Sequence, residues 1–169
     1  ATGASVSTSG LELAGQLQLA TTAGNITIGS GNVSTGLSAG SITLSTGSAD
    51  RIVGPLGAAL QLASSSGAIT VTSGQLTAGS LDLRSAGNLT INAAAQSLNG
   101  ALRLDAQGSV LAQTLVGAGP GAAVFSGNSG SINLAAISGS SVTVGERVIG
   151  DAVSDTGAID IGTVTLNGA

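Results

Sequence analysis

The sequence predicts an all-β fold: a right-handed parallel β-helix, a three-sided solenoid of about 21 residues per coil and about eight coils. Three observations carry that prediction. A short unit recurs along the chain, the apolar period inside each unit is two, and the interior must be filled almost without large side chains.

The unit is Gly-x-Φ-x-Φ, with Φ aliphatic. It stands at Gly24-Asn25-Ile26-Thr27-Ile28, Gly40-Ser41-Ile42-Thr43-Leu44, Gly67-Ala68-Ile69-Thr70-Val71 and Gly87-Asn88-Leu89-Thr90-Ile91. It returns at Gly130-Ser131-Ile132-Asn133-Leu134 and Gly157-Ala158-Ile159-Asp160-Ile161, with a looser copy from Gly108. Successive glycines lie 16, 27, 20, 21, 22 and 27 residues apart, and the central steps set the coil. In Φ-x-Φ alternate side chains share one face of a strand. So short a strand does not hold alone, but stacked on a copy of itself it gains a ladder on each side.

The coil length gives the register. A 21-residue shift lays Leu81-Asp82-Leu83-Arg84 on Leu102-Arg103-Leu104-Asp105, and backwards lays Leu81-Asp82-Leu83 on Leu60-Gln61-Leu62. Leucine meets leucine, and Asp82 and Arg84 meet Arg103 and Asp105, unlike charges that mark the register on adjacent strands. A second face runs through Ile69, Leu89, Val110 and Ile132, and a third through Leu76, Leu98, Leu115 and Ile137. Gly and Asn stand between the strands, as in Gly31-Asn32, Gly87-Asn88, Asn99-Gly100 and Gly127-Asn128, where corners are expected to need positive φ. The period of two, the glycines and the β-branched residues together exclude helix.

Composition agrees. Hydrophobic residues make up 42% and charged residues 7%, the reverse of a disordered chain. The one aromatic residue is Phe125, expected in the core or at a coil cap beside Val124. A narrow core repeated along an axis suits so few bulky side chains. The net charge of −4, with every cation an arginine, shows no basic patch for nucleic acid, and no apolar run is long enough for a transmembrane segment. Residues 1–169 read as a single β-helix segment. Neither Ala1-Thr2-Gly3 nor Leu166-Asn167-Gly168-Ala169 reads as a polar cap, so each end is expected to meet more β-helix, of the same chain or of neighbouring copies end to end.

Segments such as Gly67–Val71 and Ala86-Gly-Asn-Leu-Thr-Ile-Asn-Ala93 resemble the repeats of filamentous haemagglutinin-type exoproteins, the large surface adhesins that Gram-negative bacteria export by two-partner secretion. The resemblance covers about residues 11 to 166 and is carried by a repeat that other β-helical adhesins share. The family's Asn-Pro-Asn-Leu secretion motif and Arg-Gly-Asp are both missing, so the resemblance implies shaft rather than secretion signal or receptor-binding tip.

Candidate sites are few. Without His, Cys, Lys or Tyr, no catalytic, cofactor or metal residues are expected, and the chain reads as a non-enzyme. Asp82, Arg84, Arg103 and Asp105 are the nearest thing to a polysaccharide-acting cluster; their alternating signs read as structural ion pairs. Glu146, Asp151, Asp155 and Asp160 match neither calcium-loop spacing nor the Gly-Gly-x-Gly-x-Asp repeat and read as solvated loop. Outward Thr27, Thr43, Thr70 and Thr90 form a row; a regular threonine row can bind ice, but threonine also suits exposed strand positions. Three sequons occur, at Asn25, Asn32 and Asn88. The expected function is a structural shaft segment of a secreted or cell-surface adhesin, extracellular filament or biofilm matrix. A β-helix module binding glycan or receptor is the alternative, and a polysaccharide-acting β-helix enzyme the second.

Overall fold

The structure is a computed structural model and describes residues 4–6, 10–149, 152–154 and 157–167. No helix occurs among the described residues. In chain order the strands are β1 (Ala4–Val6), β2 (Gly10–Glu12), β3 (Gln16–Ala20), β4 (Ile26–Ile28), β5 (Thr35–Ala39) and β6 (Ser41–Ser45). Then come β7 (Arg51–Val53), β8 (Ala59–Ser64), β9 (Ile69–Ala78), β10 (Ser80–Ser85), β11 (Leu89–Ser97) and β12 (Leu102–Ala106). The last are β13 (Val110–Gly117), β14 (Ala122–Ser126), β15 (Ile132–Gly139), β16 (Val142–Ile149), β17 (Ala152–Ser154) and β18 (Ile159–Leu166).

Parallel pairing stacks these strands into a β-solenoid of about 6 turns with about 22 residues per turn. The first face is β2, β5, β8, β10, β12, β14 and β16, each paired to the next. Its inward column is Leu11, Leu37, Leu62, Leu83, Leu104, Val124 and Val144. The other two faces share long strands that bend midway. On the second, Leu17, Ile42, Ile69, Leu89, Val110, Ile132 and Ile159 stack in register. On the third, Ile26, Ile52, Leu76, Ala95, Leu115, Ile137 and Val164 do so. The expected pairing of Leu81–Arg84 with Leu102–Asp105 is present residue for residue.

Four expectations need correction. The turns number about six, not eight, because several are longer than 21 residues. Steps along the second face are 25, 27, 20, 21, 22 and 27 residues. The last long step contains the antiparallel hairpin of β16 with β17, which interrupts the parallel pattern. Next, Gly24–Ile28 is not a copy of Gly40–Leu44: Ile26 pairs with Ile52 on the third face, and Gln16–Ala20 is the true partner of Ser41–Ser45. Third, Leu98 is not in the third column. The register shifts between Asn92 and Ala94, so Ala95 stands opposite Leu76 and Leu98 falls half-buried in the turn beyond.

The fourth correction concerns the glycines. Among the described residues positive φ occurs at Gly24, Gly29, Gly31, Gly121, Asn128 and Ser129, and not at Gly87, Asn88, Asn99 or Gly100. The corner before the second face needs glycine for close approach instead. Gly40 N–H donates to Gly15 O at 2.7 Å, Gly67 to Gly40 at 2.7 Å and Gly157 to Gly130 at 2.9 Å. A Cβ on Gly130 would lie 2.4 Å from the carbonyl carbon of Gly108. Serine hydroxyls seal the neighbouring buried carbonyls: Ser64 donates to Gly67 O at 2.6 Å, Ser85 to Asn88 O at 2.9 Å and Ser126 to Gly130 O at 2.9 Å. Buried polar groups left unpaired would be costly there.

Gly130→Ala should therefore lower stability by about 1–3 kcal/mol, since only backbone could move to admit the methyl group. Gly15→Ala, at the same corner with nothing within 4 Å of its Cβ, should stay within about 0.5 kcal/mol. Urea denaturation of the two variants beside the parent chain measures the contrast.

Candidate functional site

Most of the charged residues among those described lie on the strands of the first face. Strand alternation turns Leu81 and Leu83 into the core and leaves Asp82 and Arg84 outward; Leu102 and Leu104 do the same for Arg103 and Asp105. Cα register places Asp82 beside Arg103 and Arg84 beside Asp105, as the sequence implies. The ion pairs, however, form along each strand rather than across the pair. Arg84 Nε and Nη2 donate to Asp82 Oδ1 and Oδ2 at 3.0 and 2.7 Å, and Arg103 Nη2 donates to Asp105 Oδ2 at 3.0 Å. Residues two apart on one face of a strand are about 6.6 Å apart, a span that suits a long arginine better than the shorter distance to the next strand. The hydrogen bond to Asp82, and then its charge, raise the Arg84 pKa above its ordinary value; burial opposes this slightly.

Asp105 is the buried member, with 8% of its side chain exposed. Its second oxygen accepts from Arg147 Nε, which reaches it from the hairpin strand β16. Arg147 belongs to no cluster expected from the sequence. Register sets Asp105 opposite Phe125 and Phe125 opposite Gly145, so Arg147 lies two residues further along β16 and reaches back to Asp105 with its long side chain.

Phe125 is neither core nor cap. It sits at an outward, half-buried position beside Asp105, with the Arg103 guanidinium carbon 5.1 Å from its ring centroid. That is cation–π distance. Its inward neighbour Val124 fills the core position.

Towards β2 the same face carries mostly small residues together with the acid Glu12. Gly10, Glu12, Gly36, Ser38, Gln61 and Ala63 line a shallow depression of about 440 Å³. Two smaller depressions continue it along the axis. One of about 200 Å³ lies against Gln61, Asp82 and Arg84, and one of about 280 Å³ against Gln61, Ser80, Ala101 and Arg103. Gln61 lines all three and links them into one groove.

The other candidates are dispersed. Glu146 stands opposite Ser126 on the first face and Asp160 opposite Asn133 on the second, so they form no common patch; Asp151 and Asp155 lie outside the described residues. Thr43, Thr70 and Thr90 do form one column, but Thr27 stands on the third face beside Val53, and the position after Thr90 is the exposed Leu111. The Asn25 side chain accepts from Arg51 N–H at 2.8 Å and that of Asn88 from Ser109 N–H at 2.9 Å, whereas Asn32 lies in an exposed turn. Among the described residues no three of His, Cys, Asp and Glu gather as metal ligands. No family model, curated protein or solved structure matches the chain.

The two halves of the cluster should differ in energetic weight. Asp105→Asn removes the charge that two guanidiniums share in a buried setting and should cost about 2 kcal/mol. Arg84→Gln breaks a pair whose arginine is 58% exposed and should cost under about 1 kcal/mol. Thermal unfolding monitored by circular dichroism compares them.

Proposed function

We propose that this chain is a shaft segment of a secreted or cell-surface adhesin or extracellular filament, of the filamentous haemagglutinin-like kind that Gram-negative bacteria export. The observation that carries the reading is the parallel stacking repeated from coil to coil. Ladder bonds such as Ile69 N–H to Asn88 O at 3.0 Å, Leu89 to Ser109 at 2.9 Å and Val110 to Ser131 at 2.8 Å repeat from coil to coil. They run along the axis, where a shaft bears load, and each coil rests on the aliphatic layer of the one before. Six turns at a strand spacing of ~4.8 Å make a rod of roughly 30 Å. In this reading the chain has no catalytic role and holds binding regions away from the cell.

The stacking also supports the partner that the reading needs. Inward-facing positions on β18 stand open: Ile159 is 47% exposed, Val164 51% and Leu166 67%. Their counterparts one coil back, Ile132 and Ile137, are buried. Another coil, of the same polypeptide or a neighbouring copy, would bury them, and an open strand edge invites such pairing.

Negative-stain electron microscopy of the native surface material, with its mass measured on the same sample, tests the reading. Thin fibres of uniform width are expected; compact particles a few nanometres long would contradict it. Sedimentation of the 169-residue chain gives a second test. Association that grows with concentration is expected, and Val164→Asp should weaken it at least tenfold by placing a charge in the buried stack.

A further inference from the structure

We infer that Asn32 is an acceptor for an N-linked sugar on the folded chain, and that the fold closes the other two sequons, at Asn25 and Asn88, to the same modification. The inference does not rest on the shaft reading. It concerns which asparagine the solenoid presents, whatever assembly the chain belongs to.

The backbone separates the three sequons first. A glycosyltransferase must seat the acceptor triplet on its own surface, with the asparagine amide and the hydroxyl two residues on both within reach. In Asn25-Ile26-Thr27 and Asn88-Leu89-Thr90 the last two residues are held in the sheet. Ile26 and Thr27 lie in β4, between Ala4 and Ser5 of β1 and Ile52 and Val53 of β7. Leu89 and Thr90 lie in β11, between Ile69 and Thr70 of β9 and Val110 and Leu111 of β13. Ile26 and Leu89 are fully buried. Seating either triplet on an enzyme would break ladder bonds on both sides and draw a core aliphatic out of the stack.

Asn32-Val33-Ser34 is built differently. All three residues are exposed, and none belongs to a strand. They lie in the turn between β4 and β5, where residues 29–34 form a longer corner than any later coil has at the same place: five residues at 54–58, four at 98–101 and at 118–121, and Gly79 alone between β9 and β10. Gly29 and Gly31, at φ of 67° and 66°, carry the chain through this turn.

The side chains agree. Asn25 Oδ1 accepts from Arg51 N–H at 2.8 Å and Asn88 Oδ1 from Ser109 N–H at 2.9 Å, so both carboxamides are engaged by the next coil. The Asn32 carboxamide oxygen lies against Gly57 of the next coil, where a methyl group would collide with it. Its amide nitrogen has no hydrogen-bond partner among the described residues. Ser34 Oγ accepts from Ala59 N–H at 3.3 Å and keeps its own hydrogen to donate. In the transfer a bond forms between Asn32 Nδ2 and the anomeric carbon of a nucleotide-activated sugar. That carbon's bond to the diphosphate breaks, the nucleoside diphosphate leaves, and one amide proton passes to solvent.

The test treats the folded full chain with a purified sequon-directed N-glycosyltransferase and UDP-glucose, beside short peptides spanning each sequon, and locates the added hexose by peptide mass spectrometry. All three peptides should be modified. In the folded chain Asn32 should keep its peptide's rate within a few fold, whereas Asn25 and Asn88 should fall at least about tenfold, because each needs local opening first. Asn32→Gln and Ser34→Ala should each abolish the modification without changing the circular dichroism spectrum, and Ser34→Thr should retain it. Peptide mapping of the native protein should find the sugar at Asn32 and not at the other two. An Asn32 left unmodified in the folded chain while its peptide reacts, folded-chain rates at Asn25 or Asn88 equal to those of their peptides, or a bare Asn32 in the native protein would each overturn the proposal. None of these outcomes bears on whether the native material forms fibres.

Discussion

Everything in this molecule depends on each coil lying in register on the one before it. A parallel strand of three to five residues has no independent stability, and its hydrogen bonds exist only if a neighbour one coil away presents the right atoms. The side-chain period of two makes that demand strict: a slip of one residue would turn Leu83 outward and Asp82 into the core. The aliphatic columns, the glycine corners and the serine hydroxyls are consequences of this demand. The Leu62–Leu83–Leu104 column fixes the register from inside. Gly40 and Gly67 let successive backbones approach to hydrogen-bonding distance at their corner, where a side chain would hold them apart.

The polar interior follows from the same demand. Where the chain turns between faces, carbonyls leave the ladder and need other donors. Ser64 and Ser85, stacked one coil apart with their hydroxyls 3.2 Å from each other, supply them, as do Thr46 and Ser73 at the next corner, 2.9 Å apart. A chain poor in large residues thus builds a core from aliphatic layers along the faces and hydroxyl rows at the corners. The richness in Ser, Thr and Gly serves this geometry.

Much of this was legible in the sequence where a coil carries no insertion. Between Ile69 and Ile132 the steps are 20 to 22 residues, and the second-face register read from the sequence there is the register found. It failed where the local pattern is ambiguous. Gly24-Asn25-Ile26-Thr27-Ile28 has the same form as the second-face units, but form alone does not say which face a strand joins; that is set by the loops around it. Leu98 misled because Ala93-Ala94-Ala95 carries a bulge that small residues conceal. The charged cluster was legible as a grouping of residues on one face, but not as a pattern of bonds. Strand register fixes Cα positions, and only side-chain length decides that Arg84 reaches Asp82 rather than Asp105. Arg147 and Phe125 came to the site through a hairpin and a strand parity that the repeat does not encode.

Continuity of the ladder holds the coils together, and residue-resolved amide hydrogen exchange tests it most directly. If each coil is held by the next, the amides of Ile69, Leu89, Val110 and Ile132, which donate from one coil to another, will be the slowest in the chain. Those of the exposed turn at Asn32 and Val33 will exchange quickly. Exchange of the four ladder amides as fast as that of the turn would contradict the stacked solenoid and with it the shaft reading.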